Sequence, residues 1–240
     1  MAWTKTTRRE YVRRAERYSS DLSDREWAQI EPFLPEPRRL GRPRTTDLRE
    51  VVNAIVSMAS SGCQWSLLPK DFPPASTVQR YFYDWRDAGL LRTINHHLIA
   101  RARELEGREA SPTAGVIAEP ALGLDPGDRD GAVEVLKSIR NRYPWLRHVF
   151  ADGGYSGQKL KDQLGELDRW TLEIIKRSDL AKGFELLPRR WVVERTFAWL
   201  GRCRRLAKDF EKSIASAEAW ITLVHIRLLT RRLARHCYPT

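Results

Sequence analysis

Three short apolar segments after residue 113 constrain the fold most strongly, because helical patterns separate and follow them. The segments read AGVIA at 114–118, LRHVFAD at 146–152 and WTLEIIKR at 170–177. Residues 130–145 between the first two carry a helical pattern, and further helices are predicted at about 188–207 and at 216–236. Because strands that alternate with helices form parallel sheets covered by those helices, we predict a small, mainly parallel sheet.

The first half of the chain has helical patterns only. LSDREWAQIEPFLP (22–35) has Ser23 or Asp24 as a helix N-cap, and TDLREVVNAIVSMASSG (46–62) ends at a glycine suited to a helix C-terminus. A third helix is predicted from about residue 77 to residue 87, with Ser76 as its cap. Together with the sheet, these helices predict an α+β chain whose second part is α/β.

Changes in composition along the sequence divide the chain into four regions. They are a basic arm (1–20), a helical domain (21–100), a charged hinge (101–113) and the domain that contains the sheet (114–240). The helical domain resembles a helix-turn-helix unit, which is a common DNA-binding motif.

The charge balance indicates a polyanionic partner. Lys and Arg number 42 against 31 Asp and Glu, which leaves a net charge of +11. Such an excess is typical of proteins that bind nucleic acid, although a generally basic protein would show it too. Three scattered cysteines indicate a reducing compartment and no zinc site. With no secretory signal and no apolar run long enough for a membrane span, we expect a cytoplasmic protein that does not enter membranes.

Two segments are candidates for contact with DNA. The basic loop RRLGRPRTT (38–46) resembles an arm that places arginines in a minor groove. The helix predicted at 77–87 would present polar side chains to base edges in the major groove. The alternative for this helix is a plain helical hairpin packed through Val78, Phe82 and Trp85. The predicted DNA-binding residues are Arg38, Arg39, Arg42 and Arg44 in the loop, and Thr77, Gln79, Arg80 and Arg86 in the helix.

Two acidic residues are candidates for catalysis. Asp152 ends a predicted strand directly before two glycines, and ligands bind at the carboxyl ends of strands in open α/β sheets. Glu194 lies in a predicted helix with Arg190 one turn before it and Arg195 directly after it. Carboxylates from a strand end and from a neighbouring helix suit a divalent cation. The alternative is a capping aspartate and a glutamate paired with arginine.

Several long strings resemble bacterial insertion-sequence transposases of the DDE type over roughly residues 20–236. The strings of the catalytic part include PWLRHVFADGGYSG and AKGFELLPRRWVVERTFAWLGRCRRLAKDFE, and those of the helical part include GRPRTTDLREVVNAIVSM. The resemblance implies an RNase H-like catalytic domain behind a helical N-terminal domain. It also implies double-stranded DNA as partner, both terminal inverted repeats and target DNA, a homo-oligomer on DNA, and a place at the bacterial nucleoid.

In this family two Asp and one Glu hold two divalent metal ions, Mg²⁺ or Mn²⁺. The resemblance assigns the second Asp to Asp152 and the Glu to Glu194, with Arg190 and Arg195 in support. It places the first Asp directly after GVI, where this sequence has Ala118. Asp125, Asp128 and Asp130 follow nearby, and we expect no replacement from them because no strand directs their loop.

The resemblance also indicates that two strands are missing. Only EPALGLDPG (119–127) separates the first strand from the next shared string, and nine residues are too few for two strands with their turns. An RNase H-like sheet has the order 3-2-1-4-5, so this chain should keep 1-4-5, with 114–118 at an edge. Two functions follow as alternatives: a transposase with impaired catalysis, or a catalytically inactive DNA-binding protein that acts as a repressor or a dominant-negative subunit.

Overall fold

A computed structural model describes the chain in segments that form two compact units. The units comprise residues 1–105 with 200–240, and residues 106–199. The segments described are 17–37, 41, 43–117, 137, 143–152, 162, 171–175, 198–208 and 211–236. Most of the basic arm, most of the helix predicted at 130–145 and the first half of the helix predicted at 188–207 lie outside these segments. In the described half of the latter, the α-helix stops at residue 200 and residues 204–206 form a 3-10 helix, so the predicted helix is too long at this end.

The described part of the first unit is helical, as predicted. Its α-helices are α1 (Asp24–Trp27), α2 (Leu48–Ser61), α3 (Ala75–Asp87), α4 (Leu90–Glu104) and α5 (Ile214–His236). Short 3-10 helices lie at Glu31–Phe33, Trp65–Leu67 and Arg204–Leu206. Within the described segments, no helix combines the length and apolar character that crossing a membrane requires.

Two helix starts follow from local chemistry. The Ser23 side chain accepts a hydrogen bond from the Glu26 N–H while the Glu26 carboxylate accepts one from the Ser23 N–H, which confirms Ser23 as the cap of α1. The predicted helix over 22–35 is nevertheless too long, since α1 stops at Trp27 and the proline at position 32 cannot donate a helical hydrogen bond. The cap predicted for α3 is wrong: α3 begins at Ala75, because the carbonyl of Pro74 accepts from Thr77 and Val78.

Two glycines in left-handed backbone provide a matched test of packing against α2. Gly62 ends α2 with a φ of 70°, and Gly89 precedes α4 with a φ of 69°. A Cβ atom at Gly62 would lie 3.1 Å from Arg204 Cβ and 3.2 Å from the Arg204 carbonyl carbon, whereas nothing lies within 4 Å at Gly89. We expect Gly89→Ala to cost about 1 kcal/mol through its backbone conformation alone. Gly62→Ala should lower the free energy of unfolding further in denaturant titrations, and equal losses would contradict a contact with the 3-10 turn.

Helix α5 completes the core of the first unit, which differs from the predicted division of the chain. The prediction placed 114–240 in one domain, whereas α5 packs most extensively on α4 and also contacts α1, α2 and α3. Trp220, Leu223 and Val224 of α5 are at most 5% exposed and belong to the same hydrophobic cluster as residues of α2 and α3. An amphipathic helix buries its stripe against whichever apolar surface is free, and sequence proximity does not determine that surface.

The second unit contains a three-stranded parallel sheet, as predicted. The strands are β1 (Ala114–Ile117), β2 (His148–Asp152) and β3 (Thr171–Ile175), in the order β1-β2-β3. The register pairs Ile117 with Ala151 and Asp152 with Ile175. This order agrees with the expected 1-4-5, and it places β1 at an edge among the strands that the structure describes.

Candidate nucleic-acid interface and sheet edge

Helix α3 has a buried face and an exposed face, so its packing in the core does not exclude a role for the exposed face. Val78, Phe82 and Trp85 are 0%, 1% and 5% exposed and form part of the core. Arg80 lies on the opposite side and is exposed. The helical-hairpin packing is therefore present, and it leaves a polar face that a DNA groove can meet.

The predicted base-reading residues have few internal partners of their own. The Gln79 amide donates a hydrogen bond to the Tyr83 hydroxyl over 3.3 Å, a contact along the same helix. The Arg80 guanidinium carbon lies 5.8 Å from the centre of the Tyr81 ring. The remaining predicted residue of this turn, Thr77, is half-buried.

Arg86 differs from the prediction because its guanidinium is engaged inside the unit. Its Nε lies 2.7 Å from an Asp87 oxygen, and its Nη1 donates to the Ser216 hydroxyl of α5 over 2.8 Å. Its guanidinium carbon also lies 4.7 Å from the Tyr83 ring centre. The hydrogen bond to Asp87 raises the pKa of Arg86, and the same bond lowers the pKa of Asp87. These contacts join α3 to the start of α5, and they count against a DNA-facing role for Arg86.

The structure brings the basic loop and α3 together at one open groove of about 720 Å³. Arg44 lines one wall and Arg80 lines the other, where Tyr81 and Trp85 supply aromatic surface. Arg44 Nη1 donates to the carbonyl of Pro35 over 2.9 Å, so it joins the two ends of the loop. Glu36 and Asp84 also line the groove. The other predicted loop residues, Arg38, Arg39 and Arg42, lie outside the described residues.

Strands β1 and β2 lead to two positions that the family resemblance predicts as metal ligands. Asp152 is the last residue of β2, and Ala118 directly follows β1. The register pairs the preceding residues, Ile117 and Ala151, and neighbouring strands lie about 4.8 Å apart. Ala118 itself lies outside the described residues, as do Glu194, Arg190 and Arg195.

Comparison with protein families identifies both parts of the chain. Residues 22–95 match the model described as putative transposase of IS4/5 family, and residues 124–229 match the transposase DDE domain. The chain belongs to the IS4/5 family of DDE transposases. The match to the DDE domain of this transposase begins after β1, and it includes the part of α5 up to residue 229.

Two curated relatives of this transposase match over shorter stretches. Uncharacterized protein y4sN of Sinorhizobium fredii (strain NBRC 101917 / NGR234) is 32% identical over 85 residues, which are 35% of this chain and 67% of the relative. A putative transposase for insertion sequence element IS402 of Burkholderia cepacia is 41% identical over 66 residues, 28% of this chain and 30% of the relative. The chain thus spans less than a third of the Burkholderia protein. No solved structure matches significantly.

The DDE domain implies dependence on a divalent metal ion and binding to DNA. Within the described segments, no three His, Cys, Asp or Glu side chains come together in a group able to hold a metal ion. Asp152, at the end of β2, is the one predicted metal ligand that lies among the described residues.

Sequence reasoning missed the role of Arg17, which it assigned to the basic arm. The structure places Arg17 among the carboxylates of Asp21, Glu50 and Asp71. No sequence signal would have found this cluster, because its members are up to 54 positions apart in the chain.

Proposed function

We propose that this chain is an insertion-sequence transposase that retains DNA binding and whose own strand cleavage is impaired. Its partners are the terminal inverted repeats of the element and target DNA. The helical domain predicted at 21–100, completed by α5, binds the DNA. Residues from 114 to the end of the second unit at 199 keep the remainder of an RNase H-like domain.

Support for DNA binding comes from the groove between the basic loop and α3. Arg44 and Arg80 lie on its two walls, and the basic loop that contains Arg44 also contains Arg38, Arg39 and Arg42 in sequence. Arginines in one loop favour contact with phosphates and with a narrow minor groove. Gln79 and Arg80, with Thr77 beside them, are proposed to contact base edges in the major groove.

The observation that carries impaired cleavage is Ala118 in the sequence, at the position where the family resemblance predicts the first Asp. We propose Asp152 and Glu194 as the remaining metal ligands, with Arg190 and Arg195 in support. Mg²⁺ or Mn²⁺, when bound, would supply positive charge to the reacting phosphate. Two carboxylates without the one expected at position 118 leave too little negative charge to hold two such ions.

The second candidate function is a repressor or dominant-negative subunit at the bacterial nucleoid. It is favoured by the contrast between a folded helical unit and a sequence that has Ala118 where the resemblance predicts the first Asp. The edge position of β1 suits pairing with another copy of the chain, since an edge strand presents unpaired backbone groups. We propose a homo-oligomer on DNA for both candidate functions.

Binding to duplexes with the element's end or a scrambled sequence tests the role of α3. Arg80→Ala should reduce the preference for the element's end by about 1–3 kcal/mol, because a bidentate contact to a base is worth that much. Arg92→Ala is the matched control, since Arg92 is paired with Glu218 on the surface of the same unit. Equal preference in wild type for both duplexes would contradict recognition by this helix.

A further inference from the structure

The guanidinium of Arg17, the first described residue of the first unit, is surrounded by three carboxylates. Its Nη2 lies 2.6 Å from a Glu50 oxygen of α2, and its Nε lies 3.3 Å from an Asp71 oxygen and 3.9 Å from an Asp21 oxygen. Its Nη1 also donates to the Asp71 backbone carbonyl over 2.8 Å. All three nitrogens of this guanidinium therefore contact acceptors within the protein.

Two aromatic rings, Tyr18 and Phe72, also contact Arg17. The three carboxylates and these two rings together are called the Arg17 seat. The guanidinium carbon lies 4.4 Å from the centre of the Phe72 ring, which stacks on Tyr18 with 5.1 Å between ring centres. The Tyr18 hydroxyl donates to Asp71 over 3.0 Å, and this bond raises the pKa of Tyr18. Partial burial acts to lower the pKa of Arg17, but the hydrogen bond to Glu50 and the three carboxylates outweigh it and raise that pKa.

The position of this seat relates the basic arm to α3. Asp71 and Phe72 directly precede the two prolines before α3, which begins at Ala75. Residues 1–16 are joined to the chain at Arg17, so the seat attaches them beside the start of the helix that presents Arg80. The basic residues before the seat are Lys5, Arg8, Arg9, Arg13 and Arg14.

We propose that Arg17 is a positioning residue that anchors the basic arm beside the start of α3, so that the arm and α3 contact the same DNA duplex. This inference rests on the proposed DNA binding. The physical basis is effective concentration: an arm attached next to the docked helix reaches neighbouring phosphates at a smaller entropic cost than one attached elsewhere. The affinity supplied by the arm should therefore depend on the seat.

A double-mutant cycle separates anchoring from general stability. A mixed-sequence duplex of about 30 base pairs serves as probe, because phosphate contacts do not require a particular sequence. Arg17→Ala is combined with an arm in which the five basic residues are replaced by glutamine. With the natural arm, Arg17→Ala should weaken binding at least about threefold. With the glutamine-substituted arm, it should weaken binding by less than about 1.5-fold. Equal weakening in both backgrounds would overturn the inference.

Two further variants control for the lost charge and for folding. Arg49→Ala removes one arginine from the same region, where it pairs with Asp24 over 2.6 Å, and it should weaken binding less than Arg17→Ala. Asp71→Asn keeps the arginine and removes a negative charge, so simple electrostatics predicts tighter binding, whereas loss of the anchor predicts weaker binding.

Tighter binding by Asp71→Asn would therefore overturn the anchoring role even if Arg17→Ala did not fold. Failure of the wild-type chain to bind the duplex would overturn the proposed function as well. If the glutamine-substituted arm weakened binding and Arg17→Ala had no effect, the anchoring role would be overturned and the proposed DNA binding would stand.

Discussion

Replacing Trp220 with alanine should destabilise the helical unit by about 3–5 kcal/mol, the range typical of a buried aromatic side chain. Trp220 is 1% exposed, and its ring stacks on Phe82 with 4.4 Å between ring centres. The Arg205 guanidinium carbon lies 4.8 Å from the same ring. Because α5 meets α3 at this ring, its loss leaves a cavity between helices that are far apart in sequence. Denaturant unfolding followed by far-UV circular dichroism measures the loss.

The neighbouring residue Ile221 provides the matched control. It lies on the same helix but is 48% exposed, so Ile221→Ala should change the free energy of unfolding by less than about 0.5 kcal/mol. Similar losses for the two variants would mean that α5 does not pack on the unit through Trp220. A fragment ending at residue 105 lacks α5, so the DNA-binding experiments require the full chain.

The chain by itself should neither nick nor join DNA at a rate useful for transposition, with either Mg²⁺ or Mn²⁺ present. Phosphoryl transfer depends on positioning and on charge stabilisation, so a site without its first carboxylate should lose several orders of magnitude in rate. We expect Ala118→Asp alone to restore little, because the family resemblance indicates that two strands beside this one are missing. Cleavage of labelled duplexes carrying the element's ends, followed over hours on denaturing gels, measures both results.

Metal-dependent cleavage that disappears in Asp152→Ala and in Glu194→Ala would contradict this expectation. Such a result would mean that another acidic residue completes the site, and Asp125, Asp128 and Asp130 would be the first to substitute. Cleavage that persists in both variants would instead indicate a contaminating nuclease. An inactive chain that still binds the element's ends would fit the repressor or dominant-negative role.

Local features of the molecule were predictable because they depend on residues close together in the chain. The cap at Ser23 and the glycine end of α2 require only a few neighbouring side chains and one left-handed backbone position. The three strands were recognisable because apolar residues cluster in short runs between helical patterns. The alanine at position 118 is visible in the sequence, and the family resemblance predicts a carboxylate at that position.

Only the tertiary structure shows to which of the two units each distant segment of the chain belongs. The sequence marks 216–236 as an amphipathic helix, but its apolar stripe would fit any apolar surface, and only the folded chain assigns it to the helical unit. From the sequence alone, Arg86 and Arg17 are each predicted to be basic residues available to DNA. Their partners, Ser216 and Glu50, lie 130 and 33 positions away, so only folding could reveal that both guanidinium groups are held by the protein. A charged side chain is free for a ligand only if the fold leaves it without a nearer partner, and that depends on contacts between residues that the sequence keeps apart.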